Sequence, residues 1–366
     1  MEFQMGELFC GPGGMALGAH RAAAEIESLV LRHAWANDYD RDTVATYRSN
    51  IPGATSASVI EQDVRTLNIA GLSPVNGFAF GFPCNDFSSV GDRKGMTGTF
   101  GPLYKYGVNV LDQFSPDWFV AENVGGLRSS NDGRAFKQIL AELEEAGDHD
   151  GYVLTPHLYR FEQYGLPQKR HRILIVGVRR DLDVKFRVPS TRPYADIDNS
   201  VGHRLEGEPI GPHVKHNERA RQASQVIERL LHIKPGENAF TATLPDHLRL
   251  NISGATISQI YRRLERDKPS YTVTGSGGGG THVYHWDEPR ALTNRERARL
   301  QTFPDTFDFV GGRDSVRKQI GMAVPVEGAQ VVFSALFKSF AGIDYDVTSC
   351  NMREFATQRS FARRGL

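Results

Sequence analysis

The sequence predicts an α/β fold: a Rossmann-like, mainly parallel sheet carrying a smaller, irregular domain. Three observations support it. The first half alternates short apolar runs with helical periodicity, the mark of parallel βαβ units. Its first apolar run ends in a glycine turn, Gly11-Pro12-Gly13-Gly14, of the kind that joins a strand to a helix. Near Val184 this patterning gives way to scattered Pro, Gly, His and Arg.

Residues 5–9 read as the first strand, and a helix at 16–26 follows the glycine turn. A strand at 29–36, a helix at 40–47 and a short strand at 58–60 continue the alternation. Residues 76–82 and 118–121 give the fourth and fifth strands, and 152–159 with 173–178 a later β pair. Between 185 and 290 periodicity is weak, as in loops, where recognition residues concentrate. Amphipathic patterning returns at 293–300 and 324–340, and the tail from 353 to 366 is basic and polar.

Composition bounds the answer without deciding it. The chain has 366 residues, with 43 Lys and Arg against 43 Asp and Glu, so its formal net charge is zero. That argues mildly against a phosphate-rich partner, although a neutral protein can still carry a basic face. Three cysteines and no CxxC pair exclude a disulfide framework and a cysteine zinc site. No metal is expected. The first residues lack the pattern of a signal peptide, no long apolar run suggests a membrane span, and a reducing cytoplasm is expected.

Several residues have chemistry to offer. ELFCGPGG places backbone N–H groups at a helix start, where they can meet a ligand. Asp38 ends the second strand, where a carboxylate can bind ribose hydroxyls, and Asp63 follows the third; each can equally be a helix cap or turn residue. In GFPCNDFSSVG, Cys84 follows a strand inside a polar loop, at the edge where open α/β sheets bind ligands. A thiolate there can attack an electrophilic carbon. Glu122, in FVAENVGGL, ends the fifth strand on the same edge, as a structural acid or a general acid. Arg170 and Arg172, in QKRHR, precede a buried-looking strand, where arginines either solvate the edge or clamp an oxygen or phosphate.

Taken together, these segments resemble the cytosine-C5 DNA methyltransferase family, in the prokaryotic restriction-modification style, over nearly the whole chain. ELFCGPGG resembles its cofactor turn, GFPCNDFSSVG its nucleophile loop, AENV its glutamate motif and QKRHR its QxRxR segment. RALTNRERARLQTFPDTF resembles its domain-organising segment and QIGMAVP its penultimate-helix motif, and the order agrees. Two positions depart from the pattern: Asn85 stands where glutamine is common, and Met322 where QIGNAVP has asparagine, so backbone contacts such as Val324's would have to serve the cofactor there.

The resemblance implies roles. Cys84 would add to cytosine C6, Glu122 would bond the N3 and amino edge, Arg172 would contact O2, and Arg170 would support the loop or bind phosphate. S-adenosylmethionine would lie against Phe9, with Gly11, Gly13 and Gly14 around its methionine part, Asp38 on the ribose, and Asp63 and Leu103 at the adenine. The target base would be flipped out of double-stranded DNA, with the loop from 88 to 100 closing behind it. Ser88, Thr272, Thr274, Gly277 and Gly278 would touch DNA, and residues up to His282 could enter the major groove. Arg262, Arg263, Arg266 and Lys268 form either a patch that positions the DNA backbone or a solvated helix face.

The implied domains are a catalytic and cofactor-binding domain at 1–185, completed by about 318–345, and a target-recognition domain at 186–288. A connecting segment at 289–317 and a basic tail at 346–366 complete the chain. A monomer is expected, with a cognate restriction endonuclease acting on the same site. Three other readings compete: a tRNA cytosine methyltransferase, whose Cys-Phe-Thr signature is absent; a catalytically silent DNA-binding regulator; and an NAD-dependent oxidoreductase, which leaves Cys84, Glu122 and QKRHR unexplained.

Overall fold

The computed structural model describes residues 1–82, 103–250, 259–275 and 280–355, with 129–132 described by backbone alone. The chain forms two compact units. The first comprises Met1–Arg160, His171–Pro193 and Ala329–Leu366, and the second Phe161–Arg170 and Tyr194–Gly328.

In the first unit, β1 (Glu2–Leu8), α1 (Gly14–Ala24), β2 (Val30–Asp38), α2 (Arg41–Asn50) and β3 (Val59–Glu61) follow the predicted alternation. β4 (Gly77–Gly81), α3 (Tyr104–Phe114), β5 (Trp118–Val124), α4 (Arg134–Glu145) and β6 (Tyr152–Arg160) continue it. The two-residue β7 (Gln168–Lys169) belongs to the second unit, and β8 (His171–Arg179) returns to the first. The sheet order is β3-β2-β1-β4-β5-β8-β6. Strands β1 to β5 pair in parallel, whereas β8 runs antiparallel to both its neighbours. The central β4 and β5 are buried on both faces, as parallel strands covered by helices are. Helices α3 and α4 fill intervals that the sequence reading left unassigned. In α4, Phe136, Ile139, Leu140 and Leu143 fall on one buried stripe at helical spacing.

The second unit is shorter in regular structure, as the loss of periodicity predicted. It holds α5 (Val201–Glu206), α6 (Ser224–Leu231), α7 (Asn294–Leu300) and α8 (Arg313–Met322), and β7 pairs in parallel with β9 (Ser270–Tyr271). Its core gathers Leu230, Ile233, Leu244, Leu248, Ile260, Tyr261 and Tyr284. Helix α7 opens with a capping box between Thr293 and Glu296. Arg295 on α7 is buried and donates to the carbonyls of Lys215, Pro304 and Phe307, so it ties three chain segments together.

The four basic residues of the candidate patch are each engaged within the protein. Arg263 is buried and donates to the carbonyls of His285, Leu230 and Ile233. Arg266 pairs with Glu206 at 2.6 Å, Lys268 with Glu265 at 2.5 Å, and Arg262 lies over the Tyr271 ring. There is no helix at these positions. Of the four, Arg266 and Lys268 remain exposed, each in an ion pair.

The predicted helix at 324–340 appears as α9 (Val326–Ala341). The stretch Arg313–Ala341 is long and apolar enough to span a bilayer, but 78% of its apolar 18-residue window is buried within the protein and it breaks at Ala323 between α8 and α9. It is core.

Candidate active site

The carboxyl edge of the first unit's parallel sheet carries the candidate chemistry. β1 ends in a backbone that leaves ordinary strand geometry: Phe9 has φ 53°, Gly11 φ 55° and Gly13 φ 100°. A phenylalanine in the left-handed region is strained by on the order of 1 kcal/mol, a cost usually met at functional turns. A Cβ on Gly13 would lie 2.7 Å from Ile51, so that position is closed to larger residues. Gly11 differs. A Cβ there would meet nothing within 4 Å, so this glycine faces open space.

Asp38, at the end of β2, closes the turn from the other side. One carboxylate oxygen accepts from the Gly11 N–H at 3.0 Å and the other from the Asp40 N–H at 3.0 Å. Burial pushes its carboxyl upward, against the pull of those two N–H groups. The open face at Gly11, the N–H groups beginning α1 at Gly14 and the Asp38 carboxylate suit an adenosyl amino acid, such as S-adenosylmethionine. Leu103, just before α3, is 9% exposed and joins the core beside Tyr104.

Asp63 takes the capping alternative. It accepts from the Arg65 N–H at 2.9 Å and binds the Arg65 guanidinium through both oxygens. Those hydrogen bonds hold its carboxyl down at about 2. An adenine amine at Asp63 would share the carboxylate with Arg65.

Beneath the turn lies a residue the sequence reading passed over. Glu7, on β1, has no exposure; Tyr47 donates to one carboxyl oxygen at 3.0 Å, and the other has no hydrogen-bond partner among the described residues. Burial raises its pKa from 4.5 to about 8, the Asp38 charge adding to the effect. From pH 4.5 to 8 the unfolded chain gives up a proton that the folded chain keeps, so stability falls across that window. Glu7→Gln is therefore expected to flatten the pH dependence and to stabilise the protein by roughly 3 kcal/mol at pH 7, as a ceiling. Urea denaturation at several pH values tests it; parallel curves for both proteins would refute it.

At the middle of the sheet, β4 and β5 run in register with Gly81 opposite Glu122. Arg172, which enters β8 opposite Val124, sets its Nε 2.8 Å from Glu122 Oε1, each side chain only 14% exposed. Oε2 of Glu122 lies 3.2 Å from where a Cβ on Gly81 would be, so a larger residue there would press on the carboxylate. Asn123 donates to the Phe82 carbonyl at 3.1 Å and accepts from the Val124 N–H at 2.8 Å. It thereby fixes the chain two residues before Cys84. Cys84, Asn85 and Ser88 lie outside the described residues, as do Gly277 and Gly278.

In the second unit, Arg170 is 2% exposed and donates to the carbonyls of Val273, at 3.1 Å, and Gly321, at 3.0 Å. Of its two implied roles this geometry serves loop support and leaves phosphate binding no exposed donor. Gly321 makes that contact possible, because a Cβ there would fall 1.9 Å from the Gly275 nitrogen. Thr272 donates its hydroxyl to the Lys169 carbonyl at 2.8 Å, so in this arrangement it has no proton for a phosphate. Thr274 is exposed. Val324 is buried within the second unit, and Met322, where the family pattern has asparagine, is 61% exposed. Among the described residues no group of His, Cys, Asp and Glu could hold a metal ion.

The model of the C-5 cytosine-specific DNA methylase family matches residues 3–338. The chain is 53% identical over 353 residues to the type II methyltransferase M.BbvI of Brevibacillus brevis, covering 94% of this chain and 93% of that one. It is 38% identical to M.NgoFVII of Neisseria gonorrhoeae, over 91% and 86% of the two chains. A solved structure described as a prophage-encoded DNA modification methyltransferase from E. coli superposes with a TM-score of 0.67 at 22% identity, covering 92% of this chain and 99% of that one. The Dnmt2 methyltransferase of S. pombe gives a TM-score of 0.57 at 16% identity, over 93% and 99%. Those two likenesses bear on the fold, the family match and the sequence relatives on descent: the chain belongs to the C-5 cytosine-specific DNA methylase family.

Proposed function

We propose that this cytosine-C5 DNA methyltransferase works by covalent catalysis through Cys84 and belongs to a restriction-modification system, where it marks host DNA against a cognate endonuclease. One observation carries the proposal. Glu122 and the tethered Phe82 carbonyl stand side by side at the ends of β5 and β4, so the chain leading to Cys84 leaves the sheet next to the acid that a cytosine would need.

Cytosine C5 is a poor nucleophile. Addition of the Cys84 thiolate to C6 breaks the C5–C6 π bond and moves its electron pair to C5, delocalised over N3 and O2. The Glu122 carboxyl bonds the N3 and amino edge; the Arg172 guanidinium, 2.8 Å from Oε1, faces O2. S-adenosylmethionine, when bound, supplies the methyl group. After C5 has been alkylated its proton leaves to a base, the S–C6 bond breaks and the double bond is restored. Phe9, Gly11, Gly13, Gly14, Asp38, Asp63 and Leu103 would hold the cofactor.

Flipping the base costs a few kcal/mol, which contacts to the duplex must repay. We assign DNA contacts to Ser88, Thr274, Gly277 and Gly278, with the region 186–288 as the target-recognition domain. The enzyme would act as a monomer in the cytoplasm, where the DNA is.

Incubation with tritiated S-adenosylmethionine and either duplex DNA or tRNA tests the reading. Label is expected in DNA at cytosine C5. Label confined to tRNA would replace the substrate, and label in neither would leave a DNA-binding regulator.

A further inference from the structure

Arg297, on α7, is 1% exposed, and no described carboxylate pairs with it. Its neighbour Glu296 is occupied by Arg290 at 2.8 Å. The flanking Arg295 and Arg299 are well served, the one by three carbonyls, the other by Asp305 and the Glu208 carbonyl. Arg297 has no such provision: Nη1 has no hydrogen-bond partner among the described residues, and Nη2 lies 3.1 Å from His282 Nδ1. Burying a guanidinium without a counter-charge costs stability. Among the described residues its one side-chain hydrogen bond is the contact with His282.

That contact has a definite chemical result. A guanidinium can only donate, so Nδ1 of His282 must accept, and the proton of the neutral ring sits on Nε2. Burial first, then the facing Arg297 and Arg317, drive the imidazole pKa down to about 4; the opposing charge of Asp314 is partly taken up by Arg317 at 2.7 Å. His282 is therefore neutral at physiological pH, a fixed donor. Among the described residues nothing accepts from its Nε2. It stands two residues beyond Gly280, at the end of the glycine run of the recognition region.

We propose that His282 determines specificity by donating its Nε2–H to guanine O6 in the major groove, and that Arg297 is the positioning residue that makes it a donor only. The inference rests on reading this region as the target-recognition domain. Guanine presents two acceptors, N7 and O6, whereas adenine presents an amino group where guanine has O6. A ring free to exchange tautomers could turn an acceptor towards that amine. One whose Nδ1 is occupied cannot; N7 is an acceptor in both purines, so it is at O6 that the locked donor meets guanine's acceptor and adenine's amine is refused, donor against donor.

The full-length enzyme, His282→Ala, Arg297→Met and Arg297→Gln are expressed in a bacterial host lacking cytosine methylation, and the host DNA is bisulfite-sequenced. Wild type defines the motif. His282→Ala and Arg297→Met are expected to lose discrimination against adenine at one and the same position, by about tenfold, leaving the others unchanged. Arg297→Met keeps or raises the melting temperature, and Arg297→Gln, whose amide still donates to Nδ1, keeps the motif. Imidazole nitrogen NMR on the purified proteins should show the Nε2–H tautomer in wild type, and in Arg297→Met a mixture of tautomers and a ring whose pKa rises, burial and Arg317 still holding it below the ordinary value. An unchanged motif with methylation lowered uniformly in His282→Ala would mean a phosphate contact and would overturn the proposal alone. An Nδ1–H tautomer in wild type would also overturn it. Absence of cytosine methylation in the wild-type host would overturn the functional reading beneath it.

Discussion

Cys84→Ala is expected to abolish methyl transfer, by on the order of 10⁴-fold or more, while cofactor and DNA binding survive. The effect should be this large because the other cysteines cannot substitute. Cys10 is fully buried beside Asp38 and Glu7, and burial drives its thiol well above the ordinary range. Cys350 is half-buried, likewise pushed up by burial, and donates to the Pro156 carbonyl at 2.8 Å. Neither offers a thiolate at neutral pH. Single-turnover assays with labelled cofactor measure the loss. A duplex with 5-fluorocytosine at the target should trap wild type in a denaturation-resistant complex, since no C5 proton can leave, and should release Cys84→Ala. Turnover persisting in the alanine variant would exclude the covalent route.

Glu122→Gln is expected to lower kcat by roughly 10²–10³-fold with little change in KM, because the amide fills the same space but cannot deliver a proton to N3. The ion pair complicates a cruder variant. Arg172 is only 14% exposed, so deleting its partner outright would leave a nearly buried guanidinium uncompensated, at a cost of about 1–3 kcal/mol. Glutamine keeps an acceptor for it. Thermal melting run beside the kinetics separates the two effects, and a variant that melts like wild type yet turns over normally would remove Glu122 from the mechanism.

The strands and the glycine turn could be read from sequence because both signals are local. Apolar runs give the strands, and a glycine where φ must be positive gives the turn. The pairing of Glu122 with Arg172 was half legible: each residue marks a strand end, but their meeting depends on β8 inserting between β5 and β6, and register is a non-local property. The arginines were least legible. Arg170, Arg263 and Arg295 are bound to backbone carbonyls, and carbonyls leave no trace in a sequence. Arginine clusters that look like a DNA face can be internal scaffolding for that reason. Glu7 was hidden for a related cause: a lone acid in an apolar strand resembles an edge position until its burial is known.

The chain crosses between the two units at 160/161, 170/171, 193/194 and 328/329. In β1, Phe3 stacks on Phe337 at 5.8 Å and meets Phe340 edge-on at 5.2 Å, so the first strand is finished by the last helix. On a ribosome that contact waits until nearly the whole protein has been made, and a prematurely terminated chain leaves the sheet uncovered. The same threading governs diversification. Exchanging the second unit whole would take two replacements, one of them the ten residues Phe161–Arg170 between a pair of hydrogen-bonded strands.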